Sequence, residues 1–140
     1  MYRRDFLTGL AAATAAAPLA RAARPAGPRI PLGIDNFAVR AMGWKAPELI
    51  DYAASLKCDT LLISDLDALG SLDDENLRAI RRRADAAGIG LYAGSWSICP
   101  TSKTFKKNWG TAEEHLRLGL RVAKTLGSPV FRVVLGSMDD

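Results

Sequence analysis

The chain has 140 residues, a formal net charge of +4, two cysteines and one histidine. That length suits one domain, and the charge is too small and too dispersed for a nucleic-acid surface. The one basic run, Arg81-Arg82-Arg83, sits in a helical pattern among Asp73, Asp74, Glu75 and Asp85 with no interleaved aromatics, which is the pattern of a solvated helix face.

In chain order, Arg3 and Arg4 come first, followed by Asp5, Phe6 and Leu7 and an alanine-rich stretch reaching Ala23. This start resembles a twin-arginine export signal, a pathway that carries proteins already folded, often around a cofactor. The apolar part, Phe6 to Leu19, is shorter than the roughly 20 residues a membrane-spanning helix needs and is interrupted by Pro18. Ala20-Arg21-Ala22 offers a small-x-small cleavage pattern, so residues 1–22 form the expected signal peptide. The resemblance implies a periplasmic or secreted protein, the export machinery as a partner and no stable membrane insertion. Removing this segment takes away Arg3, Arg4, Arg21 and Asp5, which leaves the remaining chain at only +2.

A Pro/Gly/Arg-rich linker over 23–29 precedes a predicted first strand over 30–35. A first helix is expected over 46–56, with Pro47 in its first turn and Leu49, Ile50, Ala53 and Leu56 as its apolar stripe. The near-continuous apolar run over 60–64 predicts a second strand. A second helix follows over 73–87, capped by Ser71, buried through Leu77, Ile80, Ala84 and Ala87, and ended by Gly88. A third strand is expected over 89–94, then an extended loop over 95–110. The Thr111-x-x-Glu114 capping box opens a third helix buried through Leu116, Leu120, Ala123 and Leu126 and ended by Gly127. Residues 130–135 make a fourth strand.

The strands are apolar on both faces, the signature of a parallel sheet covered by other layers. The first three strand centres recur at close to thirty-residue spacing, and each helix-to-strand joint is built alike. Such repeats suit a (β/α)₈ barrel or a doubly wound sheet. No Gly-x-Gly-x-x-Gly follows the first strand and no Walker pattern follows any strand, which weakens the nucleotide-binding readings. Cys58 precedes a strand and Cys99 follows one. That places them about a strand length of 17–20 Å apart, beyond the roughly 7 Å a disulfide tolerates, so two free thiols are expected.

Gly33-Ile34, the run Glu48 to Leu56 leading into Asp59-Thr60-Leu61-Leu62-Ile63, Leu77-Arg78 through Ala87-Gly88-Ile89, and Phe131-Arg132-Val133-Val134 together carry a resemblance. Residues 30–136 resemble the first half of a xylose-isomerase-like TIM barrel, the sugar phosphate isomerase/epimerase group. The expected fold class is α/β: parallel (β/α) units of a TIM barrel over 30–140, about half a barrel, with four strands and three helices. Two positions depart from the pattern. Lys57-Cys58 stands where relatives usually carry Leu-Gly, and Ser64-Asp65 stands where many carry a glutamate. A complete barrel takes about 250 residues. The chain therefore reads as an N-terminal fragment, or else as a half-barrel that pairs with another copy or another chain.

Sites in such folds form at the carboxyl ends of the strands. Those ends supply Asp35, Asn36 and Phe37, then Ser64, Asp65 and Asp67, then Ser95, Trp96 and Ser97, then Arg132, Ser137 and Asp139; of these, Asn36, Phe37, Asp65, Asp67, Ser95 and Trp96 are the expected substrate-binding residues. Hydroxyls suit Asp, Asn and Ser partners, and a sugar's C–H face stacks on Trp96 or Phe37. Asp65 and Asp67 equally suit capping, Trp96 equally suits packing, and Arg40 and Lys45 suit solvent better than an anion. The resemblance implies a sugar or sugar-like substrate, proton transfer beside a carbonyl and a divalent metal, Mn or Mg, in the full-length relative. In relatives the metal ligands lie largely on later strands. Here the four glutamates fall near helix starts and His115 falls on a helix, so no catalytic residue and no metal ligand is expected in this chain. The loop over 95–110, with Trp96, Phe105, Trp109 and three lysines, is expected to act as a lid or to contact a partner subunit.

Overall fold

The computed structural model describes residues 29–138 and 140. The export-signal expectation, nearly all of the linker, and Asp139 lie outside the described residues. Four strands form one parallel sheet in the order β1-β2-β3-β4: β1 (Gly33–Asp35), β2 (Thr60–Ile63), β3 (Gly90–Ser97) and β4 (Phe131–Val134). Three helices connect them: α1 (Ala46–Ser55), α2 (Asp74–Ala87) and α3 (Ala112–Leu126). Each strand pairs with the next in the chain, with Gly33 opposite Thr60, Thr60 opposite Gly90 and Ala93 opposite Phe131. The arrangement is four successive parallel strands alternating with helices, that of a partial (β/α) barrel.

Side-chain alternation decides where the core lies. Leu61 and Ile63 on β2 and Leu91 and Ala93 on β3 point to the helices. There they pack with Leu49, Ile50 and Ala53 of α1, Leu77, Ile80 and Ala84 of α2, and Val122, Ala123 and Leu126 of α3. Each helix is delimited by its own end chemistry. Pro occupies the first turn of α1. The Asp73 side chain accepts from Asn76 N at α2, and Thr111 and Glu114 close a capping box at α3. Gly88 and Gly127 end α2 and α3 in the left-handed conformation, at φ 70° and 76°. The equivalent position after α1 is Lys57, which holds φ 58° without the freedom of glycine.

Several expectations are corrected. Asp73, not Ser71, caps α2, because Asp73 has the extended backbone a cap needs and Ser71 instead hydrogen-bonds its carboxylate. The buried face of α3 is rotated from the predicted one. Leu116 and Leu120 are exposed, and His115, Gly119 and Val122 take the core positions. Gly119 explains the rotation: a Cβ there would overlap the Phe131 ring, so glycine admits β4's aromatic side chain against the helix. Leu56 and Ala87 are also exposed. The first strand is shorter than 30–35 because Ile30 and Leu32 stand 80% and 67% exposed. The third strand runs on to Ser97, so the expected loop begins later.

The sheet is also not covered on both faces among the described residues. Leu62, Tyr92 and Val134 alternate onto the face away from the helices and stay half-exposed, and Arg132 on that face is exposed. Both cysteines are free, Cys58 just before β2 and Cys99 just after β3. Among the described residues no helix is long and apolar enough to cross a membrane.

Candidate functional site

The carboxyl ends of the strands lead into short turns that aim polar side chains inward. After β1 the chain enters a 3-10 helix (Asn36–Met42), capped by Asp35, whose Oδ1 accepts from Phe37 N at 2.9 Å. After β2 a second 3-10 turn (Leu66–Leu69) is capped by Asp65 accepting from Asp67 N at 3.1 Å. Ser64 joins the two. Its N–H donates to Asn36 Oδ1 at 2.8 Å, and its hydroxyl lies 2.7 Å from Asp35 Oδ1 and 2.9 Å from Asn36 Oδ1. The buried Asn36 is therefore fixed through its carbonyl oxygen. Among the described residues its amide NH₂ has no partner and is available to a ligand hydroxyl.

A cavity of about 200 Å³ opens beside this junction, lined by Asn36, Phe37, Arg40, Ser64, Asp65, Trp96, Arg132 and Val134. Phe37 and Trp96 form its aromatic wall, edge to face at 6.1 Å between ring centroids and 70° between planes. The Arg40 guanidinium lies 3.9 Å from the Phe37 ring centroid and donates to Phe37 O at 3.0 Å. A smaller adjoining cavity, about 160 Å³, is bordered by Asn36, Arg40, Lys45, Asp65 and Asp67 among others.

Asp65 is the hub of the polar side. Its Oδ2 accepts from Trp96 Nε1 at 2.6 Å, and Lys106 Nζ lies 3.2 Å from both its oxygens. Lys106 also pairs with Asp67 and lies 5.7 Å from the Trp96 ring centroid. Burial works against the charged ammonium of Lys106, but the hydrogen bonds it donates to Asp67 and Asp65 outweigh it and raise its pKa above the usual lysine value. The loop after β3 is thereby tied across the strand ends, with Lys106 as the tie.

The sequence-predicted residues divide in three. Asn36, Phe37, Asp65 and Trp96 line the main cavity, and Asp67 borders the adjoining one. Ser95 does not join them. It is fully buried on the helix-facing side of β3, one residue out of phase with Trp96, and its Oγ lies 2.7 Å from His115 Nε2. Arg40 and Lys45, expected in solvent, both border the strand-end cavities. Lys45 Nζ donates to Asp67 O at 2.9 Å. Ser64, one of the strand-end residues but outside the expected substrate-binding set, also lines the cavity beside Trp96, because alternation after the buried Ile63 turns it toward the mouth.

Among the described residues no three His, Cys, Asp or Glu side chains converge as a metal-binding group. Asp65 and Asp67 come nearest, but Lys106 neutralises them and Trp96 occupies an Asp65 oxygen. This donor set does not fit a divalent ion. The Ser64 hydroxyl lies against the Asp35 carboxylate and is shared with the Asn36 carbonyl oxygen. The geometry suits binding: hydroxyl partners on one side, an aromatic wall on the other and two guanidiniums at the rim.

No protein-family model matches this chain, and no curated protein matches it. What fold and site together define is a parallel α/β protein, a half-barrel of βα units with a cavity at the carboxyl ends of its strands.

Proposed function

We propose that the chain binds a sugar or sugar-like molecule in the cavity beside Trp96, as half of a barrel of the sugar isomerase/epimerase type. The single observation that carries this reading is the pairing of the Phe37–Trp96 wall with Asn36, Ser64 and Asp65 across one small cavity. Apolar C–H faces and polar hydroxyl edges alternate on a sugar ring, and this lining offers a partner for each. The isomerase or epimerase chemistry rests on the family resemblance. It requires a divalent ion, and among the described residues no metal-binding group converges, so the 140-residue chain alone is expected to bind without turning over. Export to the periplasm or beyond, through the twin-arginine machinery, rests on the sequence of residues 1–22.

The test is calorimetric titration of the purified chain with neutral aldoses. Saturable binding that Trp96→Ala weakens is the expected outcome, and unchanged affinity in that variant would sink the reading. A second reading is a non-catalytic half-barrel that pairs with another chain. It is favoured by the half-exposed Leu62, Tyr92 and Val134 on the uncovered sheet face. It predicts a defined oligomer by size-exclusion chromatography, where an unpaired half-barrel aggregates through its open edges.

A further inference from the structure

We propose that the ligand of this cavity carries a carboxylate, recognised by Arg40 and Arg132, so that it is a sugar acid and not a neutral sugar. The inference rests on the reading above that the cavity takes a polyhydroxylated molecule, and adds the charge that molecule bears. Three charged side chains line the cavity: Arg40, Asp65 and Arg132. The one carboxylate among them is already met by Lys106 and by Trp96 Nε1. It therefore leaves both guanidiniums without an acidic partner.

Arg132 stands on β4, at the edge of the sheet and on the face away from the helices. Its side-chain stem passes Gly94, where an added Cβ would come within 3.0 Å of the Arg132 carbonyl oxygen and 3.4 Å of its Cβ and Cδ. Among the described residues the Arg132 guanidinium has no hydrogen bond or ion pair, as is also true of Arg82 on the solvent face of α2, whereas Arg29, Arg78, Arg81, Arg83, Arg117 and Arg121 each have an acidic partner.

Arg40 is placed differently but to the same effect. Its contact with the Phe37 ring and one hydrogen bond to Phe37 O fix its plane. One of five N–H donors is used there, and the fork remains available to an acid. With Asp65 spent on Lys106, the two guanidiniums of the lining stay uncompensated and call for an anionic ligand. The cavity lacks the glycine-rich backbone cradle that phosphate sites usually employ.

The deciding experiment titrates the 140-residue chain with D-glucose, D-glucuronate and D-glucose 6-phosphate, which share a ring and differ in the group at one end. Glucuronate is expected to bind at least about tenfold more tightly than glucose, the effect of one charge-assisted pair, and more tightly than the phosphate ester. In Arg132→Gln, and separately in Arg40→Gln, the ratio of glucuronate to glucose affinity should fall toward one. Arg82→Gln, on the exposed face of α2, should leave that ratio unchanged. Equal affinity for glucose and glucuronate in the wild type overturns the carboxylate while leaving sugar binding intact. Tighter binding of the phosphate ester overturns it in favour of a phosphorylated ligand. Binding of none of the three overturns the sugar reading together with it.

Discussion

Ser95 on β3 and His115 on α3 meet inside the core, Oγ to Nε2 at 2.7 Å, with neither side chain accessible to solvent. The other imidazole nitrogen, Nδ1, is buried without a partner, and the Trp109 ring lies 6.4 Å away between centroids. A neutral ring tolerates this, because the bare nitrogen is an acceptor left unused. A protonated ring does not, because both nitrogens then carry hydrogens and one has no acceptor. Burial, and secondarily the charge on Lys106, hold the His115 pKa below the usual histidine value.

Stability should therefore depend on pH through this one residue, the only histidine in the chain. With the folded pKa depressed, the unfolded chain binds the proton more readily. The stabilisation is complete above the unfolded value of about 6.5 and is lost as pH falls from there through the folded pKa. Urea midpoints measured between pH 7.5 and pH 5 should decline on acidification. His115→Gln should be less stable at neutral pH and flatter across the same range; an equally steep decline in that variant would refute the assignment.

Gly119 faces Phe131 so closely that any side chain must displace the ring. Alanine would raise helix propensity by up to about 1 kcal/mol, but overpacking of this kind costs about 1–3 kcal/mol. Gly119→Ala should be net destabilising in denaturant unfolding, and Gly119→Ala combined with Phe131→Leu should recover part of the loss.

Lys57 occupies the left-handed position after α1 that glycine holds after α2 and α3. A side chain there costs roughly 1–2 kcal/mol, partly offset by the greater freedom glycine has when unfolded. Lys57→Gly should stabilise the fold by about 0.5–1 kcal/mol, seen as a higher urea midpoint with unchanged slope.

Lys106 ties the loop after β3 to Asp65 and Asp67. Replacing it with methionine keeps the stem but leaves the half-buried Asp65 carboxylate short of a counter-charge. Lys106→Met should speed proteolysis of the segment 98–110 relative to the rest of the chain, and cleavage at the wild-type rate would show that the tie is not what holds the loop.

Hydrogen bonding with the Thr101 hydroxyl, and then with the backbone of Thr101 and Ser102, lowers the Cys99 thiol pKa. Thr101→Val should slow iodoacetamide labelling of Cys99 at pH 7, read by mass spectrometry, because less thiolate is present.

Strand and helix identity was legible in the linear order of residues, because apolar period, Pro47, the Thr111–Glu114 box and the terminal glycines are local signals that need no partner. The parallel βα architecture followed from their repetition. So did the general position of the cavity, since strand ends in such folds hold sites, and Asn36, Phe37, Asp65 and Trp96 do line it. The tertiary structure decided what depends on phase and on distant partners. Which face of α3 is buried hinges on Phe131 filling the space of Gly119, twelve residues away in sequence. Whether Ser95 or Trp96 reaches the cavity hinges on how far β3 extends, since adjacent residues on a strand point to opposite faces. Asp65 became a hub instead of a free ligand because Lys106 returns to it from 41 residues on, and Arg132 kept an unpaired guanidinium because no acid returns to it among the described residues. Pairing between charges remote in the chain is set by folding geometry, and no local pattern encodes it.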